Sequence, residues 1–150
     1  MKKGQTQQVF IYMMVILVVG ALLLIGFRSI NSVLDRGCEV EYATFVDRLR
    51  GDLSANSRFG NRAVLEYNLP CNYEEICFAT GTGAPYAEIN SEVSAGTGNN
   101  IFLVRRDSAE PILAQENLDV PGNVLCVGAG FPRATFTVEG VSAGRIRVSE

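Results

Sequence analysis

The sequence has 150 residues, with 13 Lys and Arg against 16 Asp and Glu, a net charge of −3, and no His. Without His, the Ser-His and Cys-His nucleophile pairs, the His-Glu-x-x-His metalloprotease motif and every His-containing zinc site are excluded; the chain reads as a non-enzyme with no cofactor. Residues 29–150 hold ten Arg against sixteen acidic residues, a net of −6, and no Lys, which argues against nucleic acid as a partner because phosphate neutralisation needs clustered cations.

In chain order, a short basic and polar leader, residues 1–8, precedes the run Val9–Phe27, nineteen residues without a charge. As an α-helix this run rises roughly 28 Å, close to the roughly 30 Å of a bilayer core, so membrane lipid is its expected surroundings. Lys2 and Lys3 stand before it with the amino terminus, and Arg28 and Arg36 follow among acids. The bias places the N-terminus in the cytoplasm and residues 29–150 outside, in a single-pass topology. The run exceeds the usual 7–15-residue secretory core, and Phe27-Arg28-Ser29-Ile30-Asn31 offers no small-x-small exit, so an uncleaved anchor is expected over a removed signal peptide. Gly20 and Gly26 are six apart and do not form the Gly-x-x-x-Gly dimer face.

The leader Met1-Lys2-Lys3-Gly4-Gln5-Thr6-Gln7-Gln8 leading straight into an apolar helix resembles the class III signal of archaeal type IV pilins and related filament proteins. The resemblance spans about thirty residues. It implies a cut between Gly4 and Gln5 by a prepilin peptidase-like enzyme, leaving Val9, Phe10, Gly20, Gly26 and Phe27 in a membrane and assembly helix. Many members carry Glu five residues into the mature chain; here that position is Val9.

Beyond the membrane, Phe27, Ile30, Val33 and Leu34 keep a helical spacing, Gly37 is a candidate interruption, and Val40, Tyr42, Phe45, Val46, Leu49 and Leu53 resume the stripe. The pattern predicts one long or kinked helix from about Val9 to about Ala55. Seven short segments then read as strands: Arg62 to Asn68, Glu75 to Thr80, Ile101 to Val104, Ile112-Leu113, Val124 to Val127, Ala134 to Val138 and Arg145 to Val148. Turn chemistry separates them, as in Gly81-Thr82-Gly83-Ala84-Pro85 and Pro121-Gly122-Asn123. The expected fold is α+β: a membrane-spanning helix continuing into a head with a six- or seven-stranded antiparallel sheet, pilin-like in outline. The divisions are 1–8 leader, 9–27 transmembrane helix, 28–58 helix extension and 59–150 extracytoplasmic head.

Cys38, Cys71, Cys77 and Cys126 all follow the membrane run, and an even number in an exported domain reads as two disulfides. Of the three pairings possible, the loop Cys71–Cys77 is favoured, leaving Cys38 with Cys126 to tie helix to sheet. A four-Cys zinc site or a redox pair would want Cys-x-x-Cys, which is missing. Glu74-Glu75, Asp107, Glu110, Glu116 and Asp119 read as solvated charge, with no calcium-loop spacing, and the Gly-rich stretches lack phosphate-cradling motifs. The resemblance of the leader, which the helix-then-strands pattern accompanies, implies a structural subunit of a type IV pilus-like surface filament, a homo-oligomer. The alternative is a non-polymerising anchored ectodomain with an envelope protein partner.

Overall fold

The computed structural model describes residues 4–106, 108–128, 133–142 and 144–150; the side chains of 4–8 and 28–36, and with them the predicted stripe positions Ile30, Val33 and Leu34, lie outside the described residues. The chain divides into two compact units, Met1–Val40 and Glu41–Glu150. Helix α1 spans Gly4–Ala55 and runs through Gly37 without a break. Its end matches the periodicity, and polar side chains close it. Asn56 donates from its amide group to the Asp52 carbonyl at 2.8 Å, Asn61 donates to the Ala55 carbonyl at 3.2 Å and the Ser57 hydroxyl donates to the Ser54 carbonyl at 2.7 Å. The Asp52 and Ser54 carbonyls also accept from the Asn56 and Ser57 amides, so the side chains reinforce a helix end whose last carbonyls lack regular helical partners.

The second unit contains β1 (Arg62–Asn68), β2 (Glu75–Ala79), α2 (Ala87–Ala95), β3 (Ile101–Arg105), β4 (Ser108–Leu113), β5 (Leu118–Asp119), β6 (Val124–Val127), β7 (Arg133–Ser142) and β8 (Arg145–Ser149). They form two four-stranded sheets, ordered β1-β7-β8-β5 and β4-β3-β2-β6, antiparallel except for the β5–β8 pair. The expectation of one six- or seven-stranded sheet is thus corrected: eight strands divide into two layers. The reason is legible in their burial. In the first sheet Ala134, Phe136 and Val138 of β7 and Ile146 and Val148 of β8 are buried while Arg133, Thr135, Arg145 and Arg147 are exposed and Thr137 on their face is buried, in the main the alternation of a sheet with one solvated face. In the second sheet Ile76 to Ala79 and Ile101 to Val104 are buried without interruption, which requires cover on both faces.

Two clusters supply that cover. Ile76 and Phe78 with Ile101 and Leu103 meet Phe136, Val138, Ile146, Val148 and the helix residues Phe45, Leu49 and Leu53 in one core. On the opposite face Cys77, Ala79, Phe102 and Val104 pack with Ala84, Ile89 and the half-buried Val93 of α2. The second helix was not expected from the sequence; it is nine residues long, ends at Gly96 in the left-handed region (φ 67°), and is preceded by a turn in which the Asn90 side chain accepts from the Gly83 and Ala84 amides and donates to the Ala84 carbonyl. The stripe on α1 from Phe45 to Leu53 packs as its spacing predicts. β7 is longer than predicted because it continues through Gly140, where the backbone of the 56–58 turn crosses so closely that a Cβ would lie 2.0 Å from the Arg58 carbonyl oxygen.

Candidate functional site

The described features that bear on function are the apolar segment of α1 and three tyrosine–carboxylate pairs on the head. From Val9 to Phe27 the helix has a mean hydropathy of 2.9 and none of that window is buried. Its sixteen large apolar side chains, Val9, Phe10 and Phe27 among them, are 49–72 % exposed. At about 1.5–3 kcal/mol for burying each such side chain, leaving them in water would forgo tens of kcal/mol, so the segment belongs in lipid or against other apolar helices. The helix satisfies its own amides and carbonyls, the condition for crossing a bilayer, and it holds no ionisable group apart from the Tyr12 phenol. Gly20 and Gly26 have open space where a Cβ would be and lie on different faces, about 120° apart around the helix. Gly4, the residue before the proposed cut, is the first helical residue, directly followed by Gln5.

The cysteines depart from the expected pairing. Cys77 is bonded to Cys126, its directly opposed neighbour on β6. That single bond rules out both Cys71–Cys77 and Cys38–Cys126. Cys38 and Cys71 are also disulfide-bonded, and no cysteine among the described residues is free. The short loop failed because Cys71 sits in a turn at φ 53° with Asn72 at φ 60°, whereas Cys77 lies along β2 and faces the α2 side, across the ladder from Cys126. Oxidation also disposes of a metal there. A donor of Glu75 lies within 4.8 Å of both Cys77 and Cys126 sulfurs, but these offer no thiolate, and Glu75 accepts a hydrogen bond from the Tyr86 hydroxyl at 2.8 Å.

The carboxylates read as solvated charge are partly engaged. Tyr67 of β1 donates its hydroxyl to Asp52 of α1 inside a cleft of about 520 Å³ lined also by Glu41, Thr44, Phe45, Arg48 and Glu66. Tyr73 donates to Glu110, and Arg105 lies 5.4 Å above the Tyr73 ring and 3.9 Å from the same carboxylate. Asp119 accepts from Arg147 at 2.9 Å; Asp107 lies outside the described residues. Burial first, then the Asp52 bond and charge, push the Tyr67 phenol well above its ordinary value against an opposing pull from Arg48. Burial, the Glu110 bond and its charge push Tyr73 up to about 12, and burial followed by Glu110 raises Tyr42. Phenols held this firmly in the protonated form act as donors that brace helix to strand and turn to strand. Their partners are 15 and 37 positions apart in sequence, so no local spacing signals them.

Two further depressions indent the head. One of about 340 Å³ is lined by amides, including Asn99, Asn100, Gln115 and Asn117; the Asn100 side chain is occupied there, donating to the Gln115 carbonyl and accepting from its amide. The other, of about 390 Å³, lies between Asn72, Glu74, Arg105 and Arg106. No protein-family model, curated protein or solved structure matches this chain.

Proposed function

We propose that this chain is a structural subunit of a type IV pilus-like surface filament, with Val9–Phe27 packed against its copies in the filament core and the disulfide-bonded head outside. The observation that carries this reading is the fully exposed apolar segment, which needs partners outside the chain, set directly after a leader resembling a class III signal. In this reading the N-terminus is cytoplasmic before processing, a prepilin peptidase-like enzyme cuts between Gly4 and Gln5, and the head is extracytoplasmic, where disulfides persist. The apolar helix serves first as a lipid anchor and then as the packing seam between subunits. Mass spectrometry of the protein from its native host is expected to find a mature chain beginning at Gln5, and electron microscopy of the purified material to find filaments. An intact N-terminus together with dispersed particles would overturn the proposal.

Val9, standing where many pilins carry an assembly Glu, favours a second reading: a single-pass anchored ectodomain that does not polymerise and joins an envelope complex. The same two measurements separate the readings. A full-length chain that co-purifies with a stoichiometric envelope protein and forms no filament supports the second.

A further inference from the structure

The four outer strands of the two sheets are not equally protected. β5 is two residues long, β6 is four, and β4 carries Pro111. β1 has seven residues, Arg62-Ala63-Val64-Leu65-Glu66-Tyr67-Asn68, and pairs with β7 alone. It has no Pro, no Lys and no bulge within its paired span, and of the devices by which exposed edges are usually blunted it keeps only the charges of Arg62 and Glu66, one of each sign. Gly140 donates its amide to the Asn61 carbonyl at 2.8 Å, which sets the phase of the ladder. Asn61 accepts from Gly140 and donates to the Arg58 carbonyl, and in the phase this sets, positions 63, 65 and 67 face β7 while Arg62, Val64, Glu66 and Asn68 turn their amides and carbonyls to the free edge. The same four side chains lie on the solvent face, with Val64 68 % exposed, one of only two large apolar side chains of the described residues beyond Val40 so exposed.

We propose that the free edge of β1 pairs with β1 of a second copy of this chain, antiparallel and about a two-fold axis at Val64. In that register Val64 lies opposite Val64 of the second copy, Arg62 opposite Glu66 and Glu66 opposite Arg62, all three positions having edge-facing backbone groups. The strand is thus complementary to itself in charge and in apolar contact, as a two-fold interface requires, and opposite charges directly across a ladder are favourable. A register shifted by two residues sets Val64 against Glu66 or Arg62 and loses the match. Glu66 also reaches Arg133 at 3.1 Å, with both side chains more than half exposed, so that carboxylate can serve both cations. One strand pair buries less than a stable soluble dimer needs, so the contact is a weak one, and its two-fold, which inverts the turns of α1 lying antiparallel to β1, joins copies whose α1 segments on the head run in opposite directions. It involves the head alone and does not depend on polymerisation through α1.

The test uses the full chain in detergent micelles, where its helix is covered. Val64→Cys is the only free thiol, since the native cysteines are oxidised, and a short bis-methanethiosulfonate linker is expected to give a dimer joined at position 64, at several-fold higher yield than Ser91→Cys on the exposed face of α2. Adding Arg62→Glu or Glu66→Arg alone should lower the yield several-fold, and adding both together should restore it. Equal yields from Val64→Cys and Ser91→Cys, or a double reversal no better than the single ones, would overturn the proposal; all substituted positions are solvent-exposed, so folding is not at issue.

Discussion

Gly140 shows how a single residue places an element. Its amide and carbonyl bind Asn61 and Gly60, and the absent side chain lets the turn after α1 lie against β7. Gly140→Ala is expected to cost about 2 kcal/mol or more, because the atom a Cβ would strike is backbone. Gly51→Ala, on the exposed side of α1 with nothing within 4 Å, should stabilise by up to about 1 kcal/mol. Chemical denaturation of the two variants in detergent checks both signs. Tyr73 adds a pH dependence. Its phenol is raised from 10.0 to about 12, so the native state keeps a proton that the unfolded chain loses. A raised folded value means that the stabilisation is complete below about pH 10 and is lost as pH rises toward 12. Denaturation midpoints measured across that interval should fall, and Tyr73→Phe should flatten the fall while lowering stability at neutral pH by about 1 kcal/mol through loss of the hydrogen bond to Glu110.

At the scale of elements, periodicity located what it could reach. The end of α1 at Ala55 and the bounds of β1 coincide with the sequence pattern because each carries a period of its own, Phe45, Leu49 and Leu53 on the helix, Ala63, Leu65 and Tyr67 on the strand, whereas the bounds of β6 are marked by the Pro121-Gly122-Asn123 turn and Gly128 on either side of an apolar run. α2 escaped because Ile89 and Val93 are its only large apolar residues, and β5 because two residues cannot show alternation. The division into two sheets depends on pairing between distant segments, as in β1 with β7. One sign of it was present all the same: Ile76 to Ala79 and Ile101 to Val104 are continuously apolar while β7 and β8 alternate, the difference between strands covered on two faces and on one. The disulfide pattern was not legible, since opposition of Cys77 and Cys126 follows from the β2–β6 register. Two substitutions measure these contacts. Leu49→Ala should cost about 3–5 kcal/mol in the shared core. Cys77→Ser with Cys126→Ser should cost about 4 kcal/mol in the chain-entropy account of a 49-residue closure, read as a lowered urea midpoint.

For the whole molecule, the helix Gly4–Ala55 serves two solvents in succession. Its Val9–Phe27 segment is apolar on every face, whereas from Glu41 onward only one stripe is buried and the remainder carries charge. A charge at the centre of the first segment should therefore be costly and specific. Leu17→Arg adds about 3 kcal/mol to membrane insertion and is expected to shift the chain from the carbonate-resistant membrane fraction to the soluble or aggregated fraction, while Arg48→Leu in the second segment leaves that fractionation unchanged. The processing reading rests on Gly4, Gln5 and the leader in the sequence; the exposure of the apolar helix is what the fold makes visible.

The Cys77–Cys126 bond also sets how the protein behaves under load. A chain held by its N-terminal helix and pulled at its C-terminus lengthens as its strands detach, but the residues between those two cysteines are short-circuited by a covalent link. About 160 Å of chain, at roughly 3.3 Å per residue, is withheld from extension. Stretched as single molecules, native chains should rupture at a contour length shorter by that amount than the Cys77→Ser, Cys126→Ser variant, so that the residues between the two cysteines, with α2, β3, β4 and β5, act as a mechanically indivisible block.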